Sequence, residues 1–136
     1  MTMTHAKAAR TARTIVLALG VVYLALALAG FVVVGWGSIR EAESARLLGV
    51  FGVSRLLDVA HAAVGVLAVV AAVRRAPSVF AAPATIAFTA MAAYGVIAEL
   101  VGDVGDPLHM TWWNVGLYTL TALTCVFAYT LRLRAR

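Results

Sequence analysis

Hydrophobic side chains fill four long stretches of this chain, and polar residues gather between them. The stretches cover about residues 14–36, 50–73, 79–101 and 110–131. Each is long enough to cross a bilayer core of about 30 Å, because a helix rises about 1.5 Å per residue. The connections leave no room for a separate soluble domain. The pattern therefore predicts a single all-α integral membrane domain over residues 1–136, folded as an antiparallel bundle of four transmembrane helices.

The second stretch is interrupted near its start by Arg55, Asp58 and His61. Residues three apart lie along one sector of a helix. Ionisable side chains inside a membrane are costly unless paired, and by default they face the bundle or a cavity. Glu99, near the end of the third stretch, reaches a similar depth. We expect a polar cluster in the outer leaflet, in which Arg55 pairs with Glu99 or Asp58, and Asp58 hydrogen-bonds His61.

The fourth stretch carries a line of polar residues. Asn114, Tyr118, Thr121 and Cys125 recur every three or four positions, which places them on one helix face. Small and hydroxylated residues at this spacing commonly pack membrane helices together. Helix packing is the preferred interpretation of this face, and a conduction path is the alternative. Asn114 and Tyr118 join the candidate site on this basis.

Composition and charge agree with a membrane protein. Hydrophobic residues make up 63% of the chain and charged residues 12%, whereas soluble domains average about 25% charged residues. The net charge is +5, and all six acids map to the side opposite most of the basic residues or to the half of a span nearest that side. The positive-inside rule then puts both termini in the cytoplasm. The basic residues on that side are Lys7, Arg10, Arg13, Arg74, Arg75, Arg132, Arg134 and Arg136. A basic rim beside anionic lipid headgroups explains the charge without a nucleic-acid partner.

Three interpretations of the polar cluster stay open. One is a structural ion pair that sets helix register, and another is an outward-facing ligand, ion or proton site. The third is a metal site built from His61, Asp58, Glu99 and His109, which offers suitable ligand types but no recognised spacing. The lone Cys125 cannot form an internal disulfide. No nucleophile–base pair or cofactor motif is found, so we expect no cofactor and no enzymatic activity.

Two local patterns add detail. The connection GSIREAESARLLG predicts a short amphipathic helix at the membrane surface. In GDVGDPLHM, Asp106 is predicted to be a helix N-cap and Pro107 the first helical residue.

A weak repeat also relates TIVLALGVVY to TIAFTAMAAY and LLDVAHAAVG to WWNVGLYTLT. It suggests two repeated helical hairpins of the same orientation.

The segment GVFGVSRLLDVAHAAVGVLAVVAA, the charged turn after it and N-V-x-x-Y-T-L in the fourth stretch resemble a known family over Gly49 to Leu131. This is the mainly actinobacterial four-span membrane family called domain of unknown function number 4383. The family tends to carry L-H-N-x-x-H-x-x-x-G and D-N-x-x-H. The resemblance matches His61 and Gly65 to that pattern, while Leu57 and Leu117 replace two histidines. Their loss argues against a metal or haem role, and the family implies a bacterial inner-membrane location without an activity.

The leading functional hypothesis is a non-enzymatic accessory or interaction module of the bacterial cytoplasmic membrane. So small a bundle buries little surface per helix, so we expect it to pack against copies of itself or against a larger membrane complex. The alternative is binding or transport of a small molecule, ion or proton through the outer-leaflet cluster of Arg55, Asp58, His61 and Glu99.

Overall fold

Four long helices dominate the computed structural model, which describes residues 4–35, 45–102 and 106–134. All four are long and apolar enough to cross a membrane. They are α1 (His5–Val34), α2 (Arg55–Val73), α3 (Pro77–Val101) and α4 (Trp112–Arg134). The predicted all-α fold with four membrane-spanning helices is confirmed.

A small β-hairpin precedes α2, where the hydrophobic pattern predicted helix. Strands β1 (Ala45–Leu47) and β2 (Phe51–Val53) pair antiparallel. Residues 48–50 link them, and the Val50 N–H donates to the Leu47 carbonyl at 3.2 Å. The two central residues of this turn, Leu48 and Gly49, have φ values of 53° and 76°, and positive φ at both suits a tight hairpin turn. The predicted surface helix is therefore wrong over residues 45–49, and the rest of that prediction falls outside the described residues.

Helix α2 begins five residues later than the predicted start at residue 50, because Ser54 caps it. The Ser54 hydroxyl accepts the N–H of Leu57 at 3.2 Å, which satisfies one of the free donors at a helix start. At its other end, α2 reaches a tight turn in which Arg75 has a φ of 57°. Pro77 then opens α3 at its first position, where its missing N–H costs nothing.

The start of α4 also differs from the prediction. Asp106 does not cap this helix, because its carboxylate accepts the N–H groups of Leu108 at 3.0 Å and Met110 at 2.7 Å in the turn before it. The helix begins at Trp112. Asn114 reaches back to accept the Thr111 N–H at 3.1 Å, as a third helical residue does in a capping box.

The helices pack as two tight pairs, α1 with α2 and α3 with α4, and α1 also contacts α4. Gly20 and Gly65 meet where α1 and α2 pack closely together. A Cβ atom on Gly65 would lie 2.7 Å from Leu24 Cγ and 3.0 Å from the Gly20 carbonyl oxygen. Helices α2 and α3 touch far less along their lengths. The pairing agrees with two helical hairpins, and their origin by duplication stays a prediction.

Candidate functional site

Arg55 joins the end of α1 to the start of α2. Its guanidinium donates to the carbonyl oxygens of Gly35 at 3.2 Å and Val34 at 3.4 Å. The last carbonyls of a helix lack partners within the helix, so this buried side chain caps α1. The predicted pair with Asp58 is wrong among the described residues, since both Asp58 carboxylate oxygens lack a hydrogen-bond partner there.

Glu99 does not join the cluster in the described part of the chain. It lies half-buried near the end of α3, and no described residue forms a hydrogen bond or ion pair with it. The predicted pair with Arg55 is therefore wrong within that part. Arg55 instead satisfies main-chain acceptors, which an inventory of charged side chains does not reveal.

Asp58 is fully buried in the first turn of α2. Its carboxyl group lies against Gly30 of α1, where any Cβ atom would overlap it. Because more than nine in ten buried polar groups have a partner, the two unpaired Asp58 oxygens mark an exception. Position 30 must therefore be glycine for the Asp58 carboxyl group to fit between α1 and α2.

His61 bonds to α4 rather than to Asp58. Its Nε2 lies 2.8 Å from the Tyr118 hydroxyl, and both side chains are buried. Its Nδ1 has no partner among the described residues. The predicted Asp58–His61 hydrogen bond is therefore wrong, although the structure does bring together the two predicted site residues His61 and Tyr118.

Aromatic rings surround this hydrogen bond. The Tyr23 ring lies 5.3 Å from His61 and 5.0 Å from Phe88, measured between centroids. The Tyr23 hydroxyl also bonds Thr121 Oγ1 at 2.8 Å. Tyr23 was missing from the predicted site. Its spacing of three and four residues from Gly20 and Ala27, both buried on α1, is the signal that would have found it.

Asn114 has a structural role at the end of the bundle. Its side chain accepts the Gly52 N–H at 2.9 Å and donates to the Gly52 carbonyl at 3.0 Å. It thereby continues the strand pairing of β2 and attaches the hairpin to α4. A Cβ at position 52 would overlap the His109 carbonyl, so the glycine allows this contact.

A cleft of about 240 Å³ opens between α2 and α3, with α4 behind it. His61 and Tyr118 are the polar side chains of its wall. Leu67, Pro83 and Ala87 at the rim are exposed, so the cleft opens sideways on the apolar surface of the bundle. The rest of the lining is apolar, from residues such as Leu57, Val64, Ala84, Phe88 and Met91.

The metal alternative requires His61, Asp58, Glu99 and His109 to come together. Across residues 4–35, 45–102 and 106–134, no three histidine, cysteine or acidic side chains are grouped closely enough to hold a metal ion. The structure therefore does not assemble the predicted ligand set within the described residues.

Four apolar helices of spanning length with a buried polar centre define a small multi-pass membrane protein. The family model described as Domain of unknown function (DUF4383) matches residues 13–131. The chain belongs to this family, which confirms the resemblance. No curated protein and no solved structure matches the chain.

Proposed function

We propose that this protein is a non-enzymatic accessory module of the bacterial inner membrane that holds an apolar molecule in the α2–α3 cleft. The molecule carries one hydrogen-bond acceptor. The observation behind the proposal is the His61–Tyr118 hydrogen bond, which supplies the polar part of a wall otherwise made of hydrocarbon. Ligand sites commonly combine an apolar lining with a few placed polar groups, and they occur between the helices of bundles.

The hydrogen-bonding capacity of the pair supports binding of an acceptor. A neutral imidazole carries one N–H, and a phenol carries one O–H. The bond between His61 Nε2 and the Tyr118 hydroxyl uses one of these two hydrogens in either tautomer. His61 Nδ1 is buried, so it is not available to a molecule in the cleft. With the imidazole hydrogen on Nε2, the hydrogen left over is that of the Tyr118 hydroxyl, and the proposal is that it is donated to a carbonyl or ether oxygen of the bound molecule.

The size of the cleft suits a small ring compound. An apolar cavity of about 150 Å³ inside a protein accommodates benzene, and this cleft measures about 240 Å³. A bicyclic molecule therefore fits, whereas a whole transmembrane helix does not. Entry from the bilayer is direct, because the rim residues Leu67 and Ala87 are exposed.

The orientation and assembly belong to the same proposal. The concentration of arginine at one end supports cytoplasmic termini under the positive-inside rule. The small buried surface of a four-helix chain supports association with copies of itself or with a larger membrane protein. Reporter fusions at Arg75 and at Gly49 would test the orientation, since the two positions should lie on opposite sides.

A second candidate function is binding or transfer of a proton or cation through the polar cluster. Asp58 favours it, because both oxygens of this fully buried carboxyl lack a described partner and ionisable groups within membrane spans commonly serve such roles. Asp58→Asn keeps the shape and removes the acid. Loss of ion or proton flux in vesicles, with binding of an apolar molecule in the cleft retained, would favour this function over the cleft.

The cleft is tested with two matched probes, 1-acetonaphthone and 1-ethylnaphthalene, which differ in a carbonyl oxygen. We expect acetonaphthone to raise the melting temperature of the detergent-solubilised protein more than ethylnaphthalene does. Tyr118→Phe should remove this difference, and Ala87→Phe should abolish stabilisation by both probes by filling the rim. Ala90→Phe, an exposed position on α3 outside the cleft, is the control. Equal stabilisation of the Ala87→Phe variant and the unaltered protein would overturn the proposal.

A further inference from the structure

At the end of the bundle away from Asp58, four arginines surround a second pocket. Arg10 and Arg13 come from α1, Arg75 from the turn between α2 and α3, and Arg132 from the last turn of α4. The pocket measures about 370 Å³, and Ala9 of α1 and Pro77 at the start of α3 also line it. Three separate segments of the chain thus bring guanidinium groups to one place.

No carboxylate from the neighbouring sequence balances these charges. Residues 1–40, 59–98 and 107–136 contain no aspartate or glutamate. Asp58 lies on α2 about 24 Å along the helix from Arg74, by helical rise, which exceeds the screening distance of about 8 Å at physiological salt. Because guanidinium groups stay protonated, the pocket holds four positive charges close together, and an anion bound among them would relieve their repulsion.

The geometry of the pocket favours a tetrahedral oxyanion. The Arg13 Nε donates to the Ala72 carbonyl at 2.9 Å, which holds the guanidinium in position while its remaining N–H groups stay available. Arginine forks bind phosphate oxygens with two parallel hydrogen bonds. The start of α3 at Pro77 adds the positive end of a 25-residue helix, which also favours an anion.

We propose that this pocket binds the phosphate group of an anionic phospholipid headgroup. The shared chemistry is a phosphate oxyanion, which free phosphate also offers. The lipid is favoured because the pocket lies at the ends of membrane-spanning helices, where headgroups are present at high local concentration. Basic pockets between transmembrane helices at one membrane surface are known to take such headgroups. This site is separate from the α2–α3 cleft and does not depend on its function.

The test titrates the whole chain in mild detergent with dioleoyl phosphatidylglycerol and counts bound lipid by native mass spectrometry. The pocket variant carries Arg75→Gln and Arg132→Gln. The control carries Arg74→Gln and Arg134→Gln, which changes the net charge equally at exposed positions outside the pocket. We expect lipid affinity to fall roughly tenfold or more in the pocket variant, and to stay within about twofold in the control. Circular dichroism checks that all proteins keep their helices.

Three outcomes would overturn the proposal. Equal loss of lipid in the pocket and control variants would assign binding to diffuse surface charge. Equal affinity of the unaltered protein for dioleoyl phosphatidylcholine would show that the anionic headgroup is not selected. Inorganic phosphate could also displace the lipid from the unaltered protein when both are at equal concentration. If the pocket variant does not show this displacement, the site would be assigned to free phosphate. The proposal is supported if the unaltered protein and the control variant bind phosphatidylglycerol selectively and the pocket variant does not.

Discussion

Helix α2 meets its two neighbours in opposite ways. Against α1 it packs backbone to backbone, with Gly20 and Gly65 leaving no room for a Cβ atom. Against α3 it leaves a cleft of about 240 Å³ whose rim is exposed. Small residues allow close helix packing in membranes, whereas a retained gap stabilises nothing by itself. The comparison indicates that the α1–α2 contact contributes to stability, whereas the α2–α3 gap leaves space for the ligand of the proposed function.

The largest effect is expected from a substitution that disrupts the close contact between α1 and α2. Gly65→Leu places a side chain 2.7 Å from Leu24 Cγ, and forced overpacking costs about 1–3 kcal/mol or more. We expect a loss of about 3 kcal/mol in the free energy of unfolding, measured by detergent denaturation followed by circular dichroism. Gly116→Leu is the control, because a Cβ at that position meets nothing within 4 Å. Equal losses of unfolding free energy in Gly65→Leu and Gly116→Leu would show that the α1–α2 contact is no more sensitive to added volume than an open helix face.

An intermediate effect is expected where the β-hairpin joins α4. Asn114→Leu removes both hydrogen bonds to Gly52. It leaves the Gly52 N–H with only the longer contact of 3.4 Å to Thr111 Oγ1, and it removes the side-chain donor to the Gly52 C=O. An unsatisfied buried group costs about 1–3 kcal/mol, so we expect a loss of about 2 kcal/mol in the free energy of unfolding. Hydrogen exchange should accelerate at the Gly52 amide while the Thr121 region of α4 stays protected. Unchanged exchange at Gly52 would contradict the role assigned to Asn114.

The smallest effect, with the opposite sign, is expected on the open side. Ala87→Leu adds hydrocarbon at the rim of the cleft without touching α1. Cavity filling commonly raises stability by about 0.5–2 kcal/mol, and we expect about 0.5 kcal/mol because this rim is only partly enclosed. Thermal unfolding in detergent measures the change. A loss as large as that of Gly65→Leu would mean that α2 and α3 are already closely packed.

The helices were predictable because the four hydrophobic runs are long and their polar connections short. The hairpin was not, because ARLLGVFGV is apolar apart from Arg46 and merges with the next span. The turn depends on positive φ at Leu48 and Gly49, and leucine is a poor indicator of such a backbone. Ser54 was the visible signal for the true start of α2, since serine is a preferred N-cap.

The sequence predicted which residues form the candidate site better than it predicted which hydrogen bonds they make. His61 and Tyr118 were both selected, yet their 2.8 Å contact joins residues 57 positions apart. Helix periodicity shows which residues share a face but not which faces meet or at what height. Arg55 was assigned a carboxylate partner for the same reason, whereas the described structure gives it the backbone carbonyls of Val34 and Gly35. The residue types in a sequence do not show which main-chain carbonyl groups at a helix end will accept a hydrogen bond.

If the α2–α3 cleft binds an apolar molecule as proposed, its sideways opening determines which concentration governs its occupancy. A molecule arriving between Leu67 and Ala87 comes from the hydrocarbon phase rather than from water. Its chemical potential is therefore set by how much of it has dissolved in the bilayer. A compound that partitions strongly into membranes fills such a cleft at low total abundance even when each contact with the protein is weak. Under the proposed function, oil–water partitioning would therefore act as the first selectivity filter, before the His61–Tyr118 pair makes any hydrogen bond to the molecule.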